Sequence, residues 1–316
     1  MADTDIRRGS KKSVLEARLQ QLQQTPDFDT LYLGKTAKAA DSDKLDGVHL
    51  ADIRLGQNLL HNWDFRNPAD QRGRAGQSRV FSWDFAYDRW TTYSAATLTL
   101  VPNSHVVISS GGVFGQGIEG LWLMGKTVTV SILGIDGIIR FGTGTFSGII
   151  GGTSSFQISG FGGINLVNAT DHTRLYLIPD AERSVVAVKM ELGTVSTLHL
   201  DPPVDHAVEL PKCQRYYEEL GTGMYFVAYA TTAVIVSSPF AVYKRITPSF
   251  SLLIDTMALT DAVSNYTATT LTMYGSGGDK KGMRQAVLSG FTGLTPGKIY
   301  YCANYYDGII GASSDL

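Results

Sequence analysis

Thr127-Val128-Thr129-Val130-Ser131-Ile132-Leu133 alternates small polar with apolar residues. A period of two puts every second side chain on one face, the pattern of a half-buried β-strand. Ala96-Thr97-Leu98-Thr99-Leu100-Val101 repeats it and stops at Pro102. Arg174-Leu175-Tyr176-Leu177-Ile178 repeats it and stops at Pro179. Turn residues recur between such runs, as a sandwich of antiparallel strands requires. The composition agrees, with 34 Gly, 15 Tyr and 13 Phe among 316 residues, a mixture that favours strands and tight turns over helices. The expected fold class is mostly β. Between 134 and 163 lie ten glycines, from Gly134-Ile135-Asp136-Gly137 to Gly160-Phe161-Gly162-Gly163. Interleaved Ile and Phe predict short strands joined by tight turns, either an extended hairpin or a surface loop packed on a neighbouring subunit. No Gly-x-Gly-x-x-Gly at a strand-to-helix step and no Gly-Lys-Ser/Thr element marks a phosphate loop there.

The length allows two or three domains with a sizeable core. Charged residues make up 18 % and hydrophobic residues 43 %. A charge fraction below the usual quarter or so points to surface hidden in partner subunits. A net charge of −2 gives a nucleic-acid partner no global electrostatic support. No apolar run reaches membrane-helix length, and Met1-Ala2-Asp3-Thr4-Asp5 lacks a signal-peptide pattern. Two cysteines, Cys213 and Cys302, make no disulfide framework and suit a reducing cytoplasm.

Towards the N-terminus, residues 1–12 carry Arg7, Arg8, Lys11 and Lys12 and almost no apolar side chains. Such a segment orders only when something holds it. An acidic docking site on a larger assembly would do so, and so would packing on its own stem. Ser13-Val14-Leu15-Glu16 reads as a capping box. Leu15, Leu19 and Leu22 follow at coiled-coil spacing, and Thr25-Pro26 ends the run. Two heptads alone are too few. The helix is either a short trimerising bundle or an amphipathic helix lying on its own domain.

Towards the C-terminus, Asp201-Pro202-Pro203 predicts a rigid extended connection. Glu209 through Leu220 then predicts a short helix with Leu210, Cys213, Tyr217 and Leu220 on one face, stopped by Gly221. Strand-like segments follow at Met224–Ala230, Thr232–Ser237, Phe240–Tyr243, Ser249–Ile254, Thr267–Tyr274, Gln285–Gly290 and Lys298–Tyr305. Gly275-Ser276-Gly277-Gly278-Asp279 reads as a loop and Leu294-Thr295-Pro296-Gly297 as a turn.

Leu192-Gly193-Thr194-Val195-Ser196-Thr197-Leu198, running through Asp201-Pro202-Pro203 to Lys212-Cys213-Gln214-Arg215-Tyr216-Tyr217, resembles a signature of tail-fibre and receptor-binding proteins of bacteriophages and prophages. Ala40 to Ile53, with Leu45-Asp46-Gly47 inside it, resembles a stem module of the same fibres. Three such chains wound together would bury Leu45, Val48 and Ile53. Gln57-Asn58-Leu59-Leu60, Asn62-Trp63-Asp64-Phe65, Tyr87-Asp88-Arg89-Trp90, Gln116-Gly117-Ile118-Glu119 and Val188-Lys189-Met190-Glu191, taken in order, resemble the jelly-roll module of phage tail proteins, related to carbohydrate-binding modules. Arg245-Ile246-Thr247-Pro248-Ser249 and Tyr300-Tyr301-Cys302-Ala303-Asn304 resemble the sandwich that follows the Cys-Gln-Arg-Tyr-Tyr helix.

The resemblance implies a homotrimeric fibre of four parts: a basic virion anchor at 1–12, a helix and trimeric stem at 13–56, a carbohydrate-binding-like jelly roll at 57–200, and a C-terminal β-sandwich at 201–316. The seam between the last two reads as a hinge. Trp90 and Phe65 are expected in the core. Trp83, Tyr87 and Tyr93 are the expected glycan-contact rings of the jelly roll, and Tyr300, Tyr301, Tyr305 and Tyr306 those of the sandwich. Tyr300 and Tyr301 alternate along a strand, so only one of them can be core. Related modules often hold a structural calcium near positions such as Asn58 and Glu191, where oxygen donors are chemically suitable.

Catalytic patterns are sparse. The six histidines form no His-x-x-x-His. His199, Asp201, Asp205 and His206 straddle a proline linker where polar residues are ordinary. There is no Gly-x-Ser-x-Gly elbow, no β-helix repeat, and no carboxylate pair that sequence can match to glycoside hydrolysis. The function expected is a non-enzymatic fibre protein, made in the bacterial cytoplasm and mounted on a phage tail or capsid. It would bind virion proteins through its N-terminus and a host glycan or protein receptor through its β-domains, with no nucleic acid, membrane insertion or cofactor. The alternatives are a head-fibre, capsid-decoration or baseplate protein without a receptor role, and a glycan hydrolase.

Overall fold

A computed structural model describes residues 56–315, except Thr222, Tyr305 and Asp307, together with the backbone of two short strands before them. The chain divides into two units, Met1–Leu55 and Gly56–Leu316. In the first, β1 (Lys44–Leu45) and β2 (Val48–His49) pair antiparallel. The expected anchor residues Arg7, Arg8, Lys11 and Lys12 and the helix residues Leu15, Leu19 and Leu22 lie outside the described residues.

The second unit is mostly β, and among the described residues 48 % are strand against 5 % helix. Its first half contributes β3 (Ser78–Phe81), β4 (Thr91–Thr92), β5 (Ala96–Val101), β6 (His105–Ile108), β7 (Phe114–Glu119) and β8 (Thr127–Gly134). After these come β9 (Ile139–Thr145), β10 (Thr153–Ile158), β11 (Gly162–Asn168), β12 (His172–Pro179) and β13 (Arg183–Leu192). They form a six-stranded sheet, β3-β5-β6-β13-β8-β9, and a five-stranded sheet, β10-β11-β12-β7-β4, paired antiparallel throughout. Alternate residues of both sheets meet in one core, with Leu98, Leu100, Val128 and Val130 from one and Phe114, Ile164, Leu175 and Leu177 from the other. Phe65, Trp90 and Phe114 interlock there at ring distances of 5.0 to 6.1 Å. Phe65 and Trp90 are buried as their motifs imply. The glycine-rich stretch supplies β9 and β10 as edge strands of the two sheets, which is the short-strand reading.

The alternation of Thr127–Leu133 holds, but its polar face is not solvated. Thr129 and Ser131 are both buried. The Thr129 hydroxyl donates to the Gly193 carbonyl at 2.9 Å, and Ser131 and Ser196 hydroxyls pair at 2.8 Å. The seam lies across the outer face of β8 and β13. Lys189, fully buried, is paired with Asp201 and donates to Thr197. Glu191 accepts from the Thr197 amide and hydroxyl at 2.7 and 2.5 Å. The expected hinge is therefore a packed strap. A buried ammonium and carboxylate left without these partners would cost several kcal/mol each.

After a single 3-10 turn at Leu198–Leu200, helix α1 (His206–Gln214) starts on Asp205, whose carboxylate accepts from the Ala207 amide. This corrects the expected helix at 209–220. It begins earlier, because Asp205 supplies an N-cap. It ends earlier, because Tyr217–Leu220 forms β14 against the final strand. The remaining strands are β15 (Phe226–Ala230), β16 (Ala233–Pro239), β17 (Ser249–Leu252), β18 (Met257–Thr260), β19 (Asn265–Ala268), β20 (Thr272–Asp279), β21 (Gly282–Ser289), β22 (Ile299–Cys302) and β23 (Ile310–Ser313). They form a three-stranded sheet, β14-β23-β17, and a seven-stranded sheet, β19-β18-β22-β15-β16-β21-β20, around a second core that includes Phe226, Leu259, Leu288, Phe291 and Tyr300. Two further expectations are corrected. Phe240–Tyr243 is not a strand. Gly275–Asp279 is not a loop but the end of β20, which stays paired with β21 through register shifts near Gly277.

Three motifs converge where the two halves meet. Arg72 bridges Asp88 at 2.9 Å and Asp315 at 2.7 Å, with its guanidinium 3.6 Å over the Tyr217 ring. Arg89 lies 3.4 Å over Tyr216 and 3.6 Å from Asp315. The Asn62 amide donates to Glu209 at 2.6 Å, and Gln71 donates to the Tyr217 carbonyl at 2.8 Å. Tyr87-Asp88-Arg89-Trp90, Cys213-Gln214-Arg215-Tyr216-Tyr217 and the Ser314-Asp315 end are thus parts of one buried polar joint.

Candidate functional site

The expected contact rings separate sharply by burial. Tyr87 is fully buried, stacked on Phe65 at 6.0 Å, and burial pushes its phenol well above the ordinary value. It offers no face to a ligand, which corrects its assignment. Beside Trp90 and Phe65, its ring serves the core instead. Tyr300 is likewise fully buried, edge-on to Tyr266 at 5.2 Å, with its hydroxyl accepting from the Thr295 amide. Tyr306 packs against the second core and accepts from the Ala258 amide. Tyr305 lies outside the described residues. Two expected rings stand in solvent, Trp83 at 71 % exposure and Tyr301 at 48 %.

Trp83 is held out by its neighbour. The Asp84 carboxylate accepts from Arg79 at 2.7 Å and from the Phe85 amide at 2.8 Å. The Asp84 carbonyl accepts from the Thr91 hydroxyl and the Thr92 amide, both at 3.0 Å. This pins a turn in which Trp83 adopts φ +53°. A bulky L-residue is a genuine outlier there, at a cost of order 1–3 kcal/mol. An exposed indole gains little burial to offset it.

Trp83 meets Tyr93 edge-on at 6.2 Å, and Tyr93 meets Tyr176 at 4.5 Å. Tyr93 is half-buried, and burial raises its phenol to about 12. Tyr176 stands on the outer face of the five-stranded sheet, because β12 alternates with Leu175 and Leu177 inward and Arg174 and Tyr176 outward. A Cβ at Gly115 would collide with the Leu175 carbonyl and stand 3.1 Å from Tyr176 Cδ1, so glycine is what lets this ring lie across β7. Register places Ser155, Asn165 and Tyr176 in one cross-strand row. Amide, hydroxyl and aromatic faces thus share an open platform.

Arg174 completes it. Its Nε donates to His172 Nε2 at 2.6 Å, its Nη1 reaches the Tyr176 hydroxyl at 3.3 Å, and its guanidinium lies 5.2 Å from the Tyr93 centroid. A guanidinium only donates, so His172 Nε2 carries the lone pair and Nδ1–H donates to Asp171 at 2.6 Å. Burial holds the His172 pKa below its ordinary value, and the His172 hydrogen bond holds the Asp171 carboxyl below its own. Tyr176 and Arg174 were missed as site residues. The period-two reading of 174–178 put them on one face, but alternation alone does not say which face stays open.

A second aromatic feature lies at the other end. Tyr225 and Tyr301 meet edge-on at 5.5 Å beside a cavity of about 420 Å³ that Met224, Cys302 and Asn304 also line. A cavity of about 630 Å³ flanks the joint between Arg74, Glu219, Ser251 and Tyr306. The Asn58 amide is spent on backbone groups of Val188, Leu60 and Met190, and the Lys189 ammonium stands 3.8 Å from Glu191, where it would oppose a dication. Among the described residues, no three His, Cys, Asp or Glu side chains gather in metal-binding geometry, and no helix is long and apolar enough to cross a membrane. Both cysteines are free thiols, and burial raises Cys302 to about 11. Compared with known proteins, this chain matches no family model, no curated protein and no solved structure.

Proposed function

We propose that this chain is a non-enzymatic, homotrimeric fibre protein of a phage or phage-like particle, and that it binds a cell-surface glycan on the platform of Trp83, Tyr93 and Tyr176. The observation that carries the binding reading is Trp83, an indole that is both exposed and backbone-strained. Strain of that kind collects at functional sites. Aromatic faces suit the C–H surfaces of sugar rings, and Asn165 and Ser155 stand in the same row for hydroxyls. The virion and trimer parts of the proposal rest on the seam and stem motifs and on the low charge fraction. The first half of the second unit then serves as a jelly-roll binding module and the second half as a projecting sandwich. Three weak platforms per trimer would gain avidity from shared attachment.

The test is adsorption competition. Excess purified protein is expected to block attachment of the particle to its host, and Trp83→Ala protein is expected not to. Full blocking by Trp83→Ala, or no blocking by wild type, refutes the platform as the receptor contact. The second outcome favours a structural capsid or baseplate role.

A further inference from the structure

We infer that the ligand of this platform is an acidic saccharide, with its carboxylate taken by Arg174. The inference rests on the platform reading and adds the chemical class. Its basis is a mismatch in charge pairing. Every other described arginine has a carboxylate within 4.0 Å. Arg174 has none; its partners are the neutral His172 ring and the Tyr176 hydroxyl. The nearby Asp171 does not neutralise it, because that carboxylate accepts from His172 and faces Arg245 at 3.7 Å.

The geometry also aims the free charge. His172 holds Nε, the side of the guanidinium nearest its own strand. Tyr176 and Tyr93 flank the group. Nη1 reaches the Tyr176 hydroxyl on the platform at 3.3 Å, and among the described residues Nη2 makes no hydrogen bond. Two parallel N–H groups on one edge match the two oxygens of a carboxylate, and such pairs are stronger than neutral hydrogen bonds. A sugar stacked on Trp83 and Tyr176 would carry its acid group to that edge. A neutral glycan would leave a partly desolvated cation without a counter-charge, which disfavours it.

Full-length protein is titrated calorimetrically with 3′-sialyllactose and with tetragalacturonate, each compared with its own methyl ester. Within a pair, esterification removes each negative charge and adds only a methyl group. Tryptophan fluorescence follows the same titrations, with Trp83→Phe identifying the Trp83 signal. For at least one pair the acid is expected to bind about tenfold or more tighter than its ester. Arg174→Gln is expected to erase that preference, bringing acid and ester to equal affinity, and Arg174→Lys to restore part of it. Equal affinity of acid and ester in wild type overturns the acidic class and leaves the platform standing, a result that needs no variant to fold. An acid preference that persists in folded Arg174→Gln overturns the role of Arg174. Absence of binding by all four probes, with unchanged Trp83 fluorescence, overturns the platform reading and this inference together.

Discussion

The joint between the two halves carries two buried groups whose titrations oppose each other. Burial raises Asp88 from 3.8 to about 6, against the counteracting pull of Arg72 and Gln71. Burial, with the Arg89 charge beside it, lowers His61 from 6.5 to about 4. The folded protein therefore holds the Asp88 proton more tightly than the unfolded chain. Stability from Asp88 is fully present below pH 3.8 and is lost as pH rises through about 6. His61 runs the other way: its contribution is present above pH 6.5 and is lost as pH falls toward 4. Each is about 2 to 3 kcal/mol between pH 7 and pH 4, an upper figure for His61, which keeps some solvent contact. In wild type the two nearly cancel. Asp88→Asn removes one arm, so this variant is expected to lose about 2 kcal/mol more than wild type between pH 7 and pH 4. His61→Phe removes the other and keeps a ring against Tyr216, 6.0 Å away in wild type. It is expected to lose less than wild type over the same range. The double variant should run parallel to wild type. Urea unfolding at pH 7, 5.5 and 4 measures this, and differences from wild type cancel the remaining carboxylates. If the Asp88→Asn and wild-type curves are parallel in pH, the burial argument for Asp88 is wrong.

Other expectations follow from single sites. Trp83→Gly relieves the left-handed backbone and should stabilise the protein by up to about 1 kcal/mol while abolishing the proposed glycan binding; a loss of stability in thermal unfolding would mean the indole is structural. Asp315→Ala leaves Arg72 short of a buried partner and should cost about 3 kcal/mol or more, read by urea unfolding. Phe65→Ala opens a cavity among Tyr87, Trp90 and Phe114 and should cost about 3 to 5 kcal/mol. Cys213 is fully buried and Cys302 is not, so a thiol reagent at pH 8 should modify Cys302 slowly and reach Cys213 only on unfolding; fast modification of both would contradict the packing of α1.

Much of the fold was legible because strand signals are local. Thr127–Leu133, Ala96–Val101 and Arg174–Ile178 each show their period and their stop within a few residues, and each is a strand. The helix at the seam was legible in kind but not in extent. Tyr217–Leu220 continues a helical spacing, and it becomes a strand because β23, some ninety residues later, offers it an edge. Similarly, Thr129 and Ser131 read as solvent-facing until the seam folds back over them. Two of the expected contact rings changed side for the same reason: Tyr87 and Tyr300 look no different in sequence from Trp83 and Tyr301.

The sequence by itself determined the class of this protein, a mostly β chain, and the positions of many of its strands and motif clusters. Those depend on alternation, backbone preference and proline or glycine stops, all of which act over short stretches. Only the tertiary structure decided which aromatic rings face solvent, that three separated motifs form one buried joint, and that Arg174 stands beside Tyr93 and Tyr176 without a carboxylate. Exposure and charge pairing are set by residues distant in the chain, and no local pattern encodes who those neighbours will be.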